Sequence, residues 1–330
     1  MKGNADINLI VITGPTATGK TRLGALLAHR LEGEVISGDS RQVYRGMDIG
    51  TGKDLEDFIV DGKKIPYHLI DIHDPGYEYN VYEYQKDFFR IFTKIHERGN
   101  LPVLVGGTGL YIEAVLRGYK LIRVPVDPAY RTTLDGKSME ELTAMLTTYK
   151  KLHNITDLDT RKRLVRALEI EHYYATRPET DDPLPEINPM VFGINVNRET
   201  RRENISRRLR KRLDEGMVEE VRKLLDQGVT ADHLIYYGLE YKYITLYLTG
   251  KLSYDDMVKK LEISIHQFAK RQVTWFRGME KRGIPIHWID AKLPDGKKIE
   301  KIIELLSRKS IQNKQYPYKD GKISRFFINT

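Results

Sequence analysis

The chain of 330 residues contains no cysteine, which excludes disulfides and thiolate metal sites and is compatible with a reducing compartment. It also lacks long apolar runs. The longest early one, Leu9 to Ile12, is too short to span a bilayer and has none of the flanks of a signal peptide. No membrane association is therefore expected, and the expected location is cytoplasmic. What is present is the balance of an ordinary globular protein, 40% hydrophobic and 30% charged residues, long enough for one large domain or two smaller ones.

The formal net charge is +8. A positive surplus favours acidic partners such as nucleic acid or diphosphates, although many basic proteins bind neither. Its placement says more. Residues 198–212 hold eight Arg or Lys against two Glu, and Arg161, Lys162, Arg163 and Arg166 form a second cluster. Either cluster also reads as a solvated helix face.

The first third alternates strands and helices. Leu9–Ile12, Glu34–Ile36, His68–Asp71 and Pro102–Val105 read as strands, with helices over Thr21–Leu31 and Tyr82–Glu97 between them. That alternation implies a parallel sheet covered on both faces. From Val124 to Pro189 only helical signals appear, with prolines at both borders. Met190–Val196 restores an apolar strand. Long helices are expected over Glu199–Gly228 and Ser253–Lys281, and a last strand at His287–Ile289. There is no internal repeat. The expected architecture is α/β, a P-loop NTPase-like parallel sheet over 1–120 and 190–310, with a helical insertion domain over 121–189 and a tail over 311–330.

Gly14-Pro-Thr-Ala-Thr-Gly-Lys-Thr21 fits the phosphate-binding loop pattern, and it sits between a strand and a helix as such a loop must. Its glycines let the backbone N–H groups of Thr16, Ala17, Thr18 and Gly19 curl toward phosphate oxygens, and the following helix adds its positive end. Lys20 supplies a cation, and the Thr21 hydroxyl is suited to Mg²⁺. Loops of this type commonly serve ATP and other nucleotides. The loop itself grips only a diphosphate, and what else is attached is decided elsewhere.

Asp39 follows the second strand, in Ser37-Gly-Asp-Ser-Arg-Gln-Val-Tyr44, at the sheet edge where open parallel sheets bind ligands. The plainer reading is a helix cap or an outer support for Mg²⁺. Gly106-Gly-Thr-Gly-Leu-Tyr111 ends another strand at the same edge. Its glycines permit close approach and Thr108 offers a hydroxyl, although a tight turn alone would look the same. Trp275, Phe276, Phe268 and Val273 read as core. His68 and His73 lack partners at ligand spacing and are given no metal.

Together these segments resemble the tRNA dimethylallyltransferase family, the isopentenyl-tRNA transferases. The similar stretches are Gly14–Thr21, Ser37–Tyr44, Arg45–Thr51, Leu104–Tyr111, Arg163–Ile170 and Ala269–Arg277, in family order. The resemblance implies transfer of a dimethylallyl group from dimethylallyl diphosphate to N6 of the adenosine 3′ of the anticodon (position 37) in tRNA, with Mg²⁺ as cofactor. It makes Asp39 the general base, places Thr108 on the channel where the substrates meet, and makes Arg208 a clamp on the diphosphate. It implies RNA contact at Asp39, Ser40, Arg41, Gln42, Thr108, Arg131, Lys162, Arg163 and Arg166. The partners are then tRNA, through its anticodon stem-loop, and the diphosphate, with no obligatory protein partner.

The chain departs from the family at Gly238-Leu-Glu-Tyr241, where a basic residue is usual at the position of Glu240. It departs again at Ser264-Ile-His-Gln267 and at Asn204-Ile205. These departures are expected to spare the chemical centre. A P-loop kinase of small metabolites would share the loop and the acidic residue, and would use ATP with no prenyl donor. A prenyltransferase acting on free AMP would need neither the insertion nor the basic clusters. A non-catalytic RNA-binding protein would have no need of Lys20, Thr21 and Asp39.

Overall fold

The structure is a computed structural model that describes residues 7–149, 158, 160–176 and 183–313; the expected tail lies outside these residues from position 314 onward. The chain divides into two compact units, Met1–Tyr119 with Pro185–Thr330, and Lys120–Leu184.

In the larger unit, β1 (Leu9–Thr13) leads through the P-loop into α1 (Lys20–Arg30) and on to β2 (Gly33–Ser37). A short antiparallel pair, β3 (Ile59–Val60) and β4 (Lys63–Lys64), precedes β5 (Tyr67–His68). Then come α2 (Val81–Glu97), β6 (Leu101–Gly106) and α3 (Gly109–Leu116). The smaller unit is α4 (Pro128–Leu134), α5 (Met139–Tyr149) and α6 (Arg161–Ala175). The larger unit resumes with β7 (Pro189–Asn195), α7 (Arg198–Asp214), α8 (Met217–Asp226), α9 (Ala231–Tyr236) and α10 (Leu239–Leu248). It ends with α11 (Tyr254–Lys281), β8 (Ile286–Asp290) and α12 (Asp295–Asn313).

The six-stranded sheet is parallel throughout, in the order β5-β2-β6-β1-β7-β8. β1 is fully buried and alternates its faces. Leu9 and Val11 join one core with Ile36, Leu104 and Val191, covered by α2 and by α7 to α11. Ile10 and Ile12 join the opposite core with Val35, Val103 and Phe192, covered by α1 and α12. A parallel sheet buried on both faces explains why its strands read as continuous apolar runs. Each fully buried aliphatic side chain contributes about 1.5–3 kcal/mol. The smaller unit has its own core, built from Leu134, Leu142, Leu146, Leu164, Ala167 and Leu168.

Three expectations are corrected. The strand read over His68–Asp71 stops at His68, because Leu69 (φ 60°) and Asp71 (φ 55°) turn into the left-handed region. That turn lets Asp71 pair with the buried Lys53 ammonium, which also donates to Asp48 Oδ1 and to the Tyr44 carbonyl, each at 2.6 Å. The single helix expected over Glu199–Gly228 is two, broken at Gly216, whose φ of 95° suits glycine. Finally, Phe276 is buried and Trp275 packs against the core, but Phe268 is 39% exposed. It occupies the outer face of α11.

Candidate active site at the carboxyl edge of the sheet

The register of the central strands assembles the site. Thr13, at the end of β1, pairs with Gly106 at the end of β6, and Ser37, at the end of β2, pairs with Val105. The P-loop, the Asp39 segment and the Thr108 loop therefore leave the sheet side by side. The approach is tight enough to dictate glycine. A Cβ on Gly106 would lie 2.4 Å from the Gly38 carbonyl carbon, and one on Gly14 would lie 2.9 Å from the Ile194 carbonyl oxygen.

The P-loop is braced at several points. Thr18 Oγ1 donates to the Pro15 carbonyl at 2.8 Å, and Lys20 Nζ donates to the same oxygen at 2.7 Å. Ala17 takes φ 61° and Gly19 φ 75°. Asn204 Nδ2 reaches the Ala17 carbonyl at 3.4 Å, and Arg208 Nη1 reaches Thr16 Oγ1 at the same distance. Thr21 stands in the first turn of α1, half-buried. Burial and then the Arg208 charge pull the Lys20 ammonium down to about 7, with Asp39 opposing. Two cations facing one loop leave it short of negative charge, which is the condition a diphosphate would relieve.

Asp39 is half-buried, and its Oδ1 accepts from the Arg41 amide at 3.0 Å, a local turn that fixes the carboxylate. Thr108 Oγ1 accepts from the Ser40 amide at 3.1 Å, and the Thr108 amide donates to the Gly38 carbonyl at 3.2 Å. Arg41 lies 5.4 Å from the centre of the Tyr236 ring. Gln42 is turned inward, accepting from Ser37 Oγ at 2.9 Å and donating to the Gly52 carbonyl at 3.1 Å.

In the smaller unit, Arg131 makes two 2.9 Å hydrogen bonds to Glu169, and Arg166 bonds Glu169 and the Val124 carbonyl. Lys162 and Arg163 are exposed on α6.

Two features lay beyond sequence reasoning. Gln272 of α11 accepts from the Thr16 amide at 2.8 Å and donates to the Gly107 carbonyl at 2.9 Å, tying the P-loop to the Thr108 loop. Two buried tyrosines, Tyr84 and Tyr111, stack at 4.3 Å, and Tyr84 Oη donates to the Ser37 carbonyl, two residues before Asp39. The Ala269–Arg277 stretch was the only signal for Gln272, and spacing alone gave no hint of what it would touch. One expectation is overturned. The departures at Glu240 and Asn204 do not spare the centre, because Glu240 lines a cavity with Thr16, Ala17 and Arg208, and Asn204 holds the P-loop. α10 brings Glu240 back onto α7, which no local pattern shows.

Among the described residues, no group of three or more His, Asp or Glu is placed to hold a metal ion. No helix among them is long and apolar enough to cross a membrane.

A family model described as IPP transferase matches residues 42–279, which begin just past the P-loop and Asp39. The chain is 59% identical over 303 residues to tRNA dimethylallyltransferase 2 of Phocaeicola vulgatus, covering 92% of this chain and 99% of that one. It is 61% identical over 294 residues to tRNA dimethylallyltransferase 2 of Bacteroides fragilis, covering 89% and 96%. Among solved structures, the tRNA isopentenylpyrophosphate transferase of Bacillus halodurans matches with a TM-score of 0.68 at 35% identity, over 93% of this chain and 98% of that one. A eukaryotic dimethylallyltransferase solved acting on tRNA shares the fold, with a TM-score of 0.74 at 22% identity over 96% and 81%. The chain belongs to the IPP transferase family.

Proposed function

We propose that the chain transfers a dimethylallyl group from dimethylallyl diphosphate to N6 of adenosine 37 in tRNA, releasing diphosphate in the cytoplasm. The observation that carries this reading is the convergence of the P-loop, Asp39 and Thr108 on adjacent strand ends.

In the reaction, a bond forms between N6 and the allylic carbon while the bond from that carbon to the diphosphate oxygen breaks. An exocyclic adenine amine is a weak nucleophile, since its lone pair is delocalised into the ring. Asp39 takes the N6 proton as the new bond forms. Negative charge gathers on the leaving diphosphate, where the loop amides of Ala17 to Gly19, Lys20 and Arg208 receive it, the Thr16 amide being held by Gln272. The hydroxyl of Thr21, with diphosphate oxygens, makes the sparse oxygen set that suits Mg²⁺, which would neutralise part of that charge. Thr108, Ser40 and Arg41 contact the extruded base and its neighbours. Lys162 and Arg163 meet RNA phosphates, while Arg131 and Arg166 act through the carboxylate that they share.

The test incubates the protein with Mg²⁺, dimethylallyl diphosphate and an anticodon stem-loop, and looks by mass spectrometry for one prenyl group on adenosine. Asp39→Asn should slow transfer by about 10²–10⁴ while leaving stem-loop affinity in place. Phosphate transfer from ATP with no prenyl donor, or near-full turnover in Asp39→Asn, overturns the reading.

A further inference from the structure

Gly52 lies against the ends of two arginine side chains. At φ 66°, a Cβ placed on it would lie 1.8 Å from Arg212 Nη2 and 2.2 Å from Arg208 Nη2. The two guanidinium nitrogens are therefore within about 4 Å of each other over one bare backbone position. Like charges so close need an anion between them.

What they have is Asp54. Its Oδ2 accepts from Arg208 Nη2 at 3.0 Å and stands 3.8 Å from Arg212 Nη2, beyond hydrogen-bond range. Arg212 Nη2 is buried and, among the described residues, has no hydrogen-bond partner. Its side chain is only 11% exposed, whereas that of Asp54 is 53% exposed. Asp54 also holds a left-handed backbone (φ 35°, ψ 55°), an unfavourable conformation for a residue with a side chain. Arg212 lines the same cavity as Thr16 and Ala17 of the P-loop, together with Glu240. Burial, then the Arg208 charge, pull the Arg212 guanidinium down to about 10 against Asp54 and Glu240. The pair carries more positive charge than one solvent-facing carboxylate satisfies.

We propose that Arg212 is a second guanidinium of the diphosphate site, and that Asp54 sits on the Arg208–Arg212 pair as a stand-in which the diphosphate displaces. The inference rests on the P-loop being a diphosphate site. Asp54 is suited to leave, since it is exposed and engages Arg212 only at a distance. Glu240 lines the same cavity as Arg212 and stays behind when Asp54 leaves. The reversed charge at position 240 and the arginine at 212 then form one arrangement, with the extra cation coming from α7 and its counter-charge from α10.

Calorimetric titration with inorganic diphosphate tests this. The full-length protein should bind, and Lys20→Ala should abolish or strongly weaken binding. Arg212→Met removes the guanidinium, and its thermal unfolding is compared with that of the parent, because removing one partner of a buried charge pair destabilises a fold. The variant should bind diphosphate at least about ten-fold more weakly, the scale of one hydrogen bond to a charged group. Asp54→Asn, a largely exposed change, should bind several-fold more tightly, and that gain should shrink when Arg212→Met is also present. If Arg212→Met binds within two-fold of the parent, or if Asp54→Asn binds no better, the proposal is wrong while the P-loop reading stands. If the parent does not bind, or Lys20→Ala binds equally well, the P-loop reading itself falls.

Discussion

Each unit of the chain sets two arginines on one carboxylate, and the two arrangements are opposites. In the smaller unit the carboxylate is the buried partner. The Glu169 side chain is 1% exposed and accepts from Arg131, from Arg166 and from the Asp127 amide at 2.7 Å. In the larger unit an arginine is the buried partner, and Asp54 reaches solvent, accepting one hydrogen bond, from Arg208. A buried carboxylate that is fully bonded is a pin, because every lone pair facing the protein is used. A buried guanidinium with a free N–H is a receptor. The same residue types therefore serve structure in one unit and ligand in the other, and burial decides which. Both arginines of the pin had looked, from sequence, like direct RNA contacts.

The contrast breaks most visibly at Arg208. Arg208→Ala should lower prenyl transfer by about 10²–10³, the cost of removing one donor from a developing anion. Arg131→Ala, assayed at saturating stem-loop, should stay within a few-fold of the parent. Single-turnover rates measure both, and an equal loss in the two variants would erase the distinction. A smaller effect is expected on stability. Glu169→Ala should cost about 1–3 kcal/mol locally, read as faster amide exchange in α4, α5 and α6 with the β1 and β6 amides unchanged. Exchange that accelerates across both units would mean that the pin is not local.

The pH dependence sharpens the same point. Burial would raise the Glu169 carboxyl, but Arg131, the Asp127 amide and Arg166 outweigh it and hold the folded value below the ordinary one. A folded value that is depressed gives stability which is present above the unfolded pKa and is lost as pH falls through the folded one. Exchange protection in α6 should therefore decline in acid below roughly pH 4.5, the ordinary carboxyl range, and Glu169→Gln should remove that decline. The smallest effect belongs to a side chain outside both pairs. Lys162→Ala should flatten the salt dependence of stem-loop affinity by up to about 0.9 per contact to helical RNA. An unchanged slope would take Lys162 off the RNA.

Much of the fold was legible because it is local. The apolar run of β1, the loop from Gly14 to Thr21 and the glycines at Gly106 and Gly107 each carry their own signal within a few residues. The shared sheet edge follows from the rule that open parallel sheets bind ligands at the carboxyl ends of their strands. What stayed hidden depends on chain segments meeting from afar. Arg208 was reached only through the resemblance, and Arg212, one turn on in a segment that looks uniformly basic, gave no sign that it is buried over Gly52. Asp54 follows a glycine turn and carries no pattern at all. The strand expected through Asp71 failed because a buried lysine reorganised its end, a tertiary demand that period and propensity do not register.

Gln272 has a consequence for the order in which the site comes into being. It stands 256 residues after the Thr16 amide that it receives, and β1 is flanked by β6 and by β7, which lies beyond the insertion. On the ribosome the phosphate loop emerges well before β7, so its strand waits for residue 195 to gain its second neighbour. The loop's amide waits longer still, for most of α11. Contacts of such long sequence separation form late and slowly. A nascent chain halted before Gln272 thus displays the complete loop motif with its two rims untied, so the synthesis of α11 turns a recognisable sequence into a working grip.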